Sequence, residues 1–257
     1  MPKHKSVNII TIICLILVII ANLIFKISIY WVFGPLSLYV LLMLFLSTNI
    51  QLNYFVKAYH KNPAYPGKNI ALSFDDGPVP NTLKILDVLD QHSAKVAFFC
   101  VGKNIQRYPE IFKEIISRGH VVGNHTYSHT RTMGILKAKK IVAEIEQCDA
   151  VANKVGGVKL KLYRPPFGVI NPKIKNALEK TGHQVIGWSV RPYDAVTTSA
   201  DTILNRITRK VKSGDLIILH DPPAKTPELL EQLLVNLEKQ NFGVVRPDVL
   251  FDINAYT

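Results

Sequence analysis

Acidic residues are missing from the start of this chain. No Asp or Glu precedes Asp75, and the formal charges before it are all lysines. Over the whole molecule 31 Lys and Arg face 19 Asp and Glu, a net charge of +12. Charged residues are scarce, at 19 % of 257, against 48 % hydrophobic, which excludes a disordered chain. Cysteine is scarcer still. Cys14, Cys100 and Cys148 are too few and too scattered for a disulfide scaffold or a Cys-based zinc site. Cys100 reads as a small buried hydrophobe. There is no zinc-finger spacing, basic aromatic platform or recognition-helix signature, so the excess of lysine does not point to nucleic acid. Internal repeats and low-complexity segments are also absent.

The long uncharged runs are all at the front. Residues 7–25 carry no charge, and after Lys26 neither do residues 27–56. A bilayer core takes about 20 apolar residues per helix, which predicts two transmembrane helices, about 7–25 and 30–50. No small-x-small site follows the first run, so a cleaved signal peptide is not the expectation. Lys3, Lys5, Lys57 and Lys61 flank the spans, and Tyr30, Trp31, Tyr54, Tyr59 and Tyr65 suit interfacial belts. Gly34-Pro35 blurs the start of the second span. The expected organisation is a membrane anchor over 1–58, a linker over 59–67 and a domain over 68–257.

From Lys68 the rhythm changes. Short apolar runs at 69–74, 95–101, 120–123, 160–163, 183–188, 215–219 and 243–246 read as strands. Between them, segments with helical spacing begin at Thr82, Pro109, Leu136, Asn171, Ala200 and Pro227. Strands alternating with helices predict βα units on a parallel sheet, either a small barrel or an open doubly wound sheet.

Polar residues then collect at one kind of place, just past the strands. Asp75 and Asp76 follow the first, His125 and His129 the third, Arg164 the fourth, Asp194 the fifth, and His220-Asp221 the sixth. In parallel α/β folds those strand ends make one rim, where sites are built. His125 and His129 are four residues apart, so one helical turn would put both imidazoles on the same face. Two imidazoles and a carboxylate, here Asp76, make an open divalent-metal site. Asp221 reads as a structural loop acceptor, and Trp188 as pocket wall.

Ser73-Phe-Asp-Asp-Gly-Pro78, His125-Thr-Tyr-Ser-His129, Arg164-Pro-Pro-Phe-Gly168 and Leu216-Ile-Ile-Leu-His-Asp221 resemble, in order, the signature blocks of the NodB-homology polysaccharide deacetylases, carbohydrate esterase family 4. The resemblance covers roughly 68–247. It implies a deformed (β/α)7 barrel and metal-dependent removal of acetyl groups from amino-sugar polymers. The metal is commonly zinc, and the same ligands also suit cobalt or iron. Carried over by position, Asp75 resembles the general base, Asp76, His125 and His129 the metal ligands, Arg164 the partner of the base, and His220 the general acid supported by Asp194.

The block after strand five departs. The family's Asp-x-x-Asp-Trp stands here as Arg191-Pro-Tyr-Asp194-Ala195. The catalytic set is complete but part of the groove wall is not, which bears on substrate more than on chemistry. The backbone N–H of Phe167 is the expected oxyanion donor, and only the backbone is needed there. The resulting expectation is a membrane-anchored hydrolase of acetylated amino-sugar polymers, such as peptidoglycan or chitin-like glycans. Its partners are the glycan and the bilayer, and its catalytic domain faces the cell envelope. The alternative is a catalytically idle relative that binds glycans or membrane partners.

Overall fold

The computed structural model describes residues 4–197 and 199–257. Two apolar helices come first, α1 (His4–Phe25) and α2 (Phe33–Thr48), with a 3-10 turn at Ile29–Val32 between them. His4–Phe25 and Ile29–Thr48 are each long and apolar enough to cross a membrane. Pro35 lies in the first turn of α2, where its missing N–H costs no helical bond. The helices fold back on each other, and the Tyr39 hydroxyl of α2 donates to Asn8 Oδ1 of α1 at 3.0 Å. Most of their large apolar side chains are exposed, and Val7 and Leu46 are the buried ones.

The strands are β1 (Ala58–Tyr59), β2 (Asn69–Gly77), β3 (Ala97–Cys100), β4 (Val121–Asn124), β5 (Leu162–Tyr163), β6 (Gln184–Ile186), β7 (Leu216–His220) and β8 (Gly243–Val245). The helices among them are α3 (Pro80–Gln91), α4 (Gly102–Arg107), α5 (Pro109–Ser117), α6 (Ala138–Gly156), α7 (Pro172–Thr181), α8 (Ala200–Thr208), α9 (Thr226–Lys239) and α10 (Pro247–Phe251). Turn chemistry sets several ends. Asn171 caps α7 by accepting the N–H groups of Lys173 and Ile174, and Gly182 closes it at φ 73°.

Every strand pairing is parallel, in the order β1-β6-β5-β4-β3-β2-β7, with β8 on the start of β2. The sheet curls until Val190, beyond β6, bridges Ile217 of β7. This is the expected deformed barrel, with one strand more than expected. Ala58–Tyr59 pairs with β6, and Lys61 bridges Asp215 at an ion-pair distance of 3.1 Å. The segment expected to be a linker over 59–67 therefore begins inside the sheet. A two-residue strand has no periodicity to read.

Alternation along β2 divides the interior. Ile70, Leu72 and Phe74 pack outward with residues of α3, α5, α8 and α9. Ala71 shares the inner cluster with Phe99, Leu162, Ile186 and Leu216, closed by Leu250 and Phe251 of α10. The inward row of β2 thus runs Ala71, Ser73, Asp75, from apolar to polar toward the C-terminal rim.

The N-terminal helix pair joins the barrel at that rim. Leu46, Ile50 and Phe55 are buried in one cluster with Tyr163, Ile170, Trp188 and Ile218. Ile170 N–H donates to Ser47 O at 2.8 Å, and Gln51 Nε2 to Trp188 O at 3.0 Å.

Candidate metal and catalytic centre

Successive residues of a strand face opposite ways, so Asp75 and Asp76 cannot both face the barrel mouth on a regular β2. A bulge removes the conflict. The register against β3 slips between Asp75 and Gly77, and Asp76 sits at φ 71°. Asp75 stays inside the barrel, 3 % exposed, while Asp76 leans into the mouth.

The two histidines reach Asp76 by a different route from the expected one. Residues 125–129 are not helical. They form a loop in which Thr126 (φ 65°) and His129 (φ 49°) are left-handed. Side chains hold that loop. Asn124 Oδ1 accepts Thr126 N–H at 2.8 Å, and Thr126 Oγ1 accepts His129 N–H at 3.1 Å. From α6, the Glu144 carboxylate accepts the Ser128 N–H and hydroxyl at 2.8 and 2.9 Å, and its backbone carbonyl accepts Tyr127 N–H at 3.0 Å.

His125 Nδ1 lies 2.8 Å from the carbonyl of Arg164. A carbonyl only accepts, so Nδ1 carries the proton and Nε2 presents a lone pair. That Nε2 is 3.4 Å from Asp76 Oδ1 and 3.8 Å from Asp75 Oδ2, and His129 Nε2 is 3.3 Å from the same Asp76 oxygen. The three candidate donor atoms lie within 4.8 Å of one another. Two imidazoles and one carboxylate, with a ring fixed from behind, fit a divalent cation. The local field agrees. Burial disfavours charge on both groups, yet His125 is raised by Asp75 and Asp76, while Asp76 is held below the usual carboxylate range by the histidines. A pocket that draws a proton onto His125 draws a cation for the same reason.

Arg164 is fully buried. Its guanidinium donates to Asp75 Oδ1 at 2.6 Å, to Ser73 Oγ at 2.8 Å, and to the carbonyls of Ile186 and Gly187 at 3.1 and 2.8 Å. It also lies 4.0 Å above the Phe99 ring. Burial lowers its pKa, with Asp75 pulling the other way. Across the mouth, Asp194 accepts twice from His220, from the backbone N–H at 2.8 Å and from Nδ1 at 3.0 Å. Burial pulls the His220 pKa down, but the hydrogen bond and charge of Asp194, joined by Asp75 and Asp76, push it up to about 9. Asp221 lies behind the site. It accepts the Thr82 hydroxyl, and its N–H donates to Asp75 O at 3.0 Å. Burial pushes its carboxyl up to about 8. It is the structural acceptor that its position implied.

These groups line a pocket of about 240 Å³ whose walls include Phe167, Trp188, Arg191, Tyr193, Ala195 and Val196. Phe167 is left-handed at φ 60°, and its N–H makes no hydrogen bond among the described residues. Trp188 is 6 % exposed and packs over Gly168, where a Cβ would run into the indole. It is wall rather than an open platform. Sequence reasoning missed Ser73, Glu144, Tyr193 and Val196. Only Ser73 had a signal, its place in the inward row of β2.

A family model described as polysaccharide deacetylase matches residues 62–186. A Bacillus cereus peptidoglycan-N-acetylglucosamine deacetylase is 37 % identical over 168 residues, 65 % of this chain and 60 % of its own length. A second from the same organism is 34 % identical over 188 residues, 69 % of this chain and 85 % of its own. A crystal structure of a peptidoglycan N-acetylglucosamine deacetylase, in complex with 4-naphthalen-1-yl-N-oxidanyl-benzamide, superposes with a TM-score of 0.72 at 32 % identity, over 78 % of this chain and 94 % of that one. Sequence, barrel and rim agree, and the chain belongs to the polysaccharide deacetylase family, the NodB-homology group of carbohydrate esterase family 4.

Proposed function

We propose that the protein is a membrane-anchored, metal-dependent deacetylase that hydrolyses N-acetyl groups of an envelope amino-sugar glycan. The observation that carries this reading is the convergence of Asp76, His125 and His129 beside an Arg-held Asp75 and an Asp-held His220 in one pocket.

Asp76, His125 and His129 would hold the ion, zinc in this reading, although the same donors suit cobalt or iron. Bound there, a divalent ion supplies Lewis acidity toward the amide carbonyl and makes water a better nucleophile near neutral pH. The remaining work belongs to this chain. Asp75 accepts the proton of the attacking water, and Arg164 keeps that carboxylate ionised and aimed. The unpaired N–H of Phe167 faces the oxygen on which negative charge develops. His220, its Nδ1 proton committed to Asp194, delivers a proton from Nε2 to the departing amine. The C–N bond breaks and the water oxygen ends in the acetate; one water proton passes to Asp75 and the other leaves with the new carboxyl group, while the amine takes its proton from His220, which solvent then resets with the proton that Asp75 gives up.

The relatives' names and the two apolar N-terminal helices support an enzyme tethered to the bilayer that works on the envelope. The test is acetate release from an acetylated chitooligosaccharide by purified protein whose metal content is measured by plasma emission. Stoichiometric metal with acetate release is the expected result. Bound metal with no turnover on any acylated glycan would leave an idle glycan-binding relative instead.

A further inference from the structure

A second concavity lies at the foot of the anchor and shares a wall with the catalytic pocket. Trp188, Arg191 and Tyr193 line both. Its lining extends from the apolar end of α2 to a cation on the wall shared with the catalytic pocket. Phe45, 57 % exposed, is the last large exposed apolar side chain of α2. Thr48, Asn49 and Gln51 follow, polar and uncharged. Arg191, on the shared wall, and Lys210 are its exposed cations, and no carboxylate lines the groove among the described residues. Beyond the shared wall stand Asp75, Asp76, His125 and His129.

Arg191 is positioned without being neutralised. Its guanidinium lies 5.2 Å from the Trp188 ring centre and 5.1 Å from that of Tyr193, and none of the ion pairs among the described residues engages it. Aromatic faces fix the plane of a guanidinium and leave its N–H fork free for an oxyanion. The anchor reaches the barrel through the loops after β5 and β6, by Ser47 to Ile170 and Gln51 to Trp188. Those loops belong to the rim that carries the site, so the pocket opens beside the point where α2 leaves the apolar phase.

Apolar, polar, cationic, catalytic is the order of a lipid chain, a phosphate linkage and a sugar. We infer that the groove receives the phosphate of a membrane-bound amphiphile whose N-acetylated sugar enters the catalytic pocket. The preferred substrate is then an amino sugar carried on a lipid phosphate rather than a polymer free of the membrane. This rests on the deacetylase reading above and narrows its substrate.

The experiment uses the full chain in phosphatidylcholine nanodiscs, loaded with metal. It compares acetate release from farnesyl-diphosphate-linked N-acetylglucosamine, soluble UDP-N-acetylglucosamine and N-acetylchitotetraose. The lipid-linked substrate is expected to lead chitotetraose in kcat/KM by about ten-fold or more, the worth of one charge-assisted hydrogen bond to its phosphate, and to lead the nucleotide sugar because its chain partitions into the bilayer beside the groove. Arg191→Gln should erase most of that lead through KM, and Arg191→Lys should keep much of it. Equal kcat/KM for the lipid-linked sugar and chitotetraose, with a ratio that Arg191→Gln leaves alone, overturns the inference and leaves the deacetylase reading standing. A nucleotide sugar that matches the lipid-linked one overturns it in favour of free diphosphate sugars. Acetate from none of the three overturns the deacetylase reading and the inference together.

Discussion

Two adjacent carboxylates have different surroundings here, which is the basis of the different roles proposed for them. Asp75 is buried and held by Arg164 and sits 3.8 Å from His125, while Asp76 offers one oxygen to both histidines at 3.4 and 3.3 Å. Asp75→Asn should therefore keep the metal and lose about 10²–10⁴-fold in turnover, the usual worth of a general base. Asp76→Asn should lose metal affinity as well, read by plasma emission after dialysis. If both variants retain metal like the native protein, the division of roles is wrong. The acid is tested through its pH profile. As the proposed acid, His220 would have to be protonated, so activity should fall as pH rises through its pKa, which Asp194 helps to push up to about 9 against the effect of burial. Removing that negative charge disfavours the imidazolium. Asp194→Asn should thus move the basic limb of the pH–rate profile to lower pH. A uniform loss of rate with the limb in place would mean that Asp194 only orients the ring.

At the scale of elements, β2 to β8 are legible because each lies in an apolar run between polar or glycine-containing turns, and the rim follows from what stands after each run. The loop at 125–129 was not legible in its geometry. Helical spacing of His125 and His129 points to two side chains that the structure does bring together, but in a left-handed loop rather than on a helix face. The bulge at Asp76 is hidden for the same reason: it comes from pairing with β3, not from local sequence. Strand β1 was too short to signal itself, and α4 too short to show a period. The Arg164 hydrogen bonds were legible only in part, because Ser73 lies two residues before the motif's first Asp. What fixes the histidine loop is Glu144, which reaches across from α6 to Ser128. Glu144→Ala should leave the barrel folded by circular dichroism and weaken metal binding by about ten-fold or more, as loss of a group behind the ligands usually does. Metal affinity like that of the native protein, measured by competition with a chelator, would show that the loop holds its shape without α6.

At the scale of the whole molecule, the proposed anchor sets which side of a bilayer the barrel would occupy. A single true span would have allowed a cytoplasmic N-terminus with the barrel outside. The hairpin argues against that. His4, at the start of α1, packs edge-on to Phe55 at 5.4 Å and to Tyr54 at 6.3 Å, beside the point where α2 enters the barrel. The N-terminus and the barrel are therefore on the same side, and Lys26 lies at the far end of the hairpin. In sequence, Lys3, Lys5, Lys57 and Lys61 flank the outer ends of the two apolar runs and Lys26 lies between the runs, which by the positive-inside rule favours the cytoplasm. Counted by substrate, relatives named for peptidoglycan favour the envelope. A polymer outside the membrane cannot be reached from the cytoplasm, whereas a bias of three lysines is a modest barrier to the opposite orientation. The expected result is an envelope-facing barrel. Cys14, Cys100 and Cys148 are first replaced, and a single cysteine is placed at the exposed Lys239 position on α9. A membrane-impermeant thiol reagent should then label intact spheroplasts. Labelling only after lysis would put the barrel in the cytoplasm, and the acetylated sugar would then have to be one that is present on the inner leaflet or in solution there.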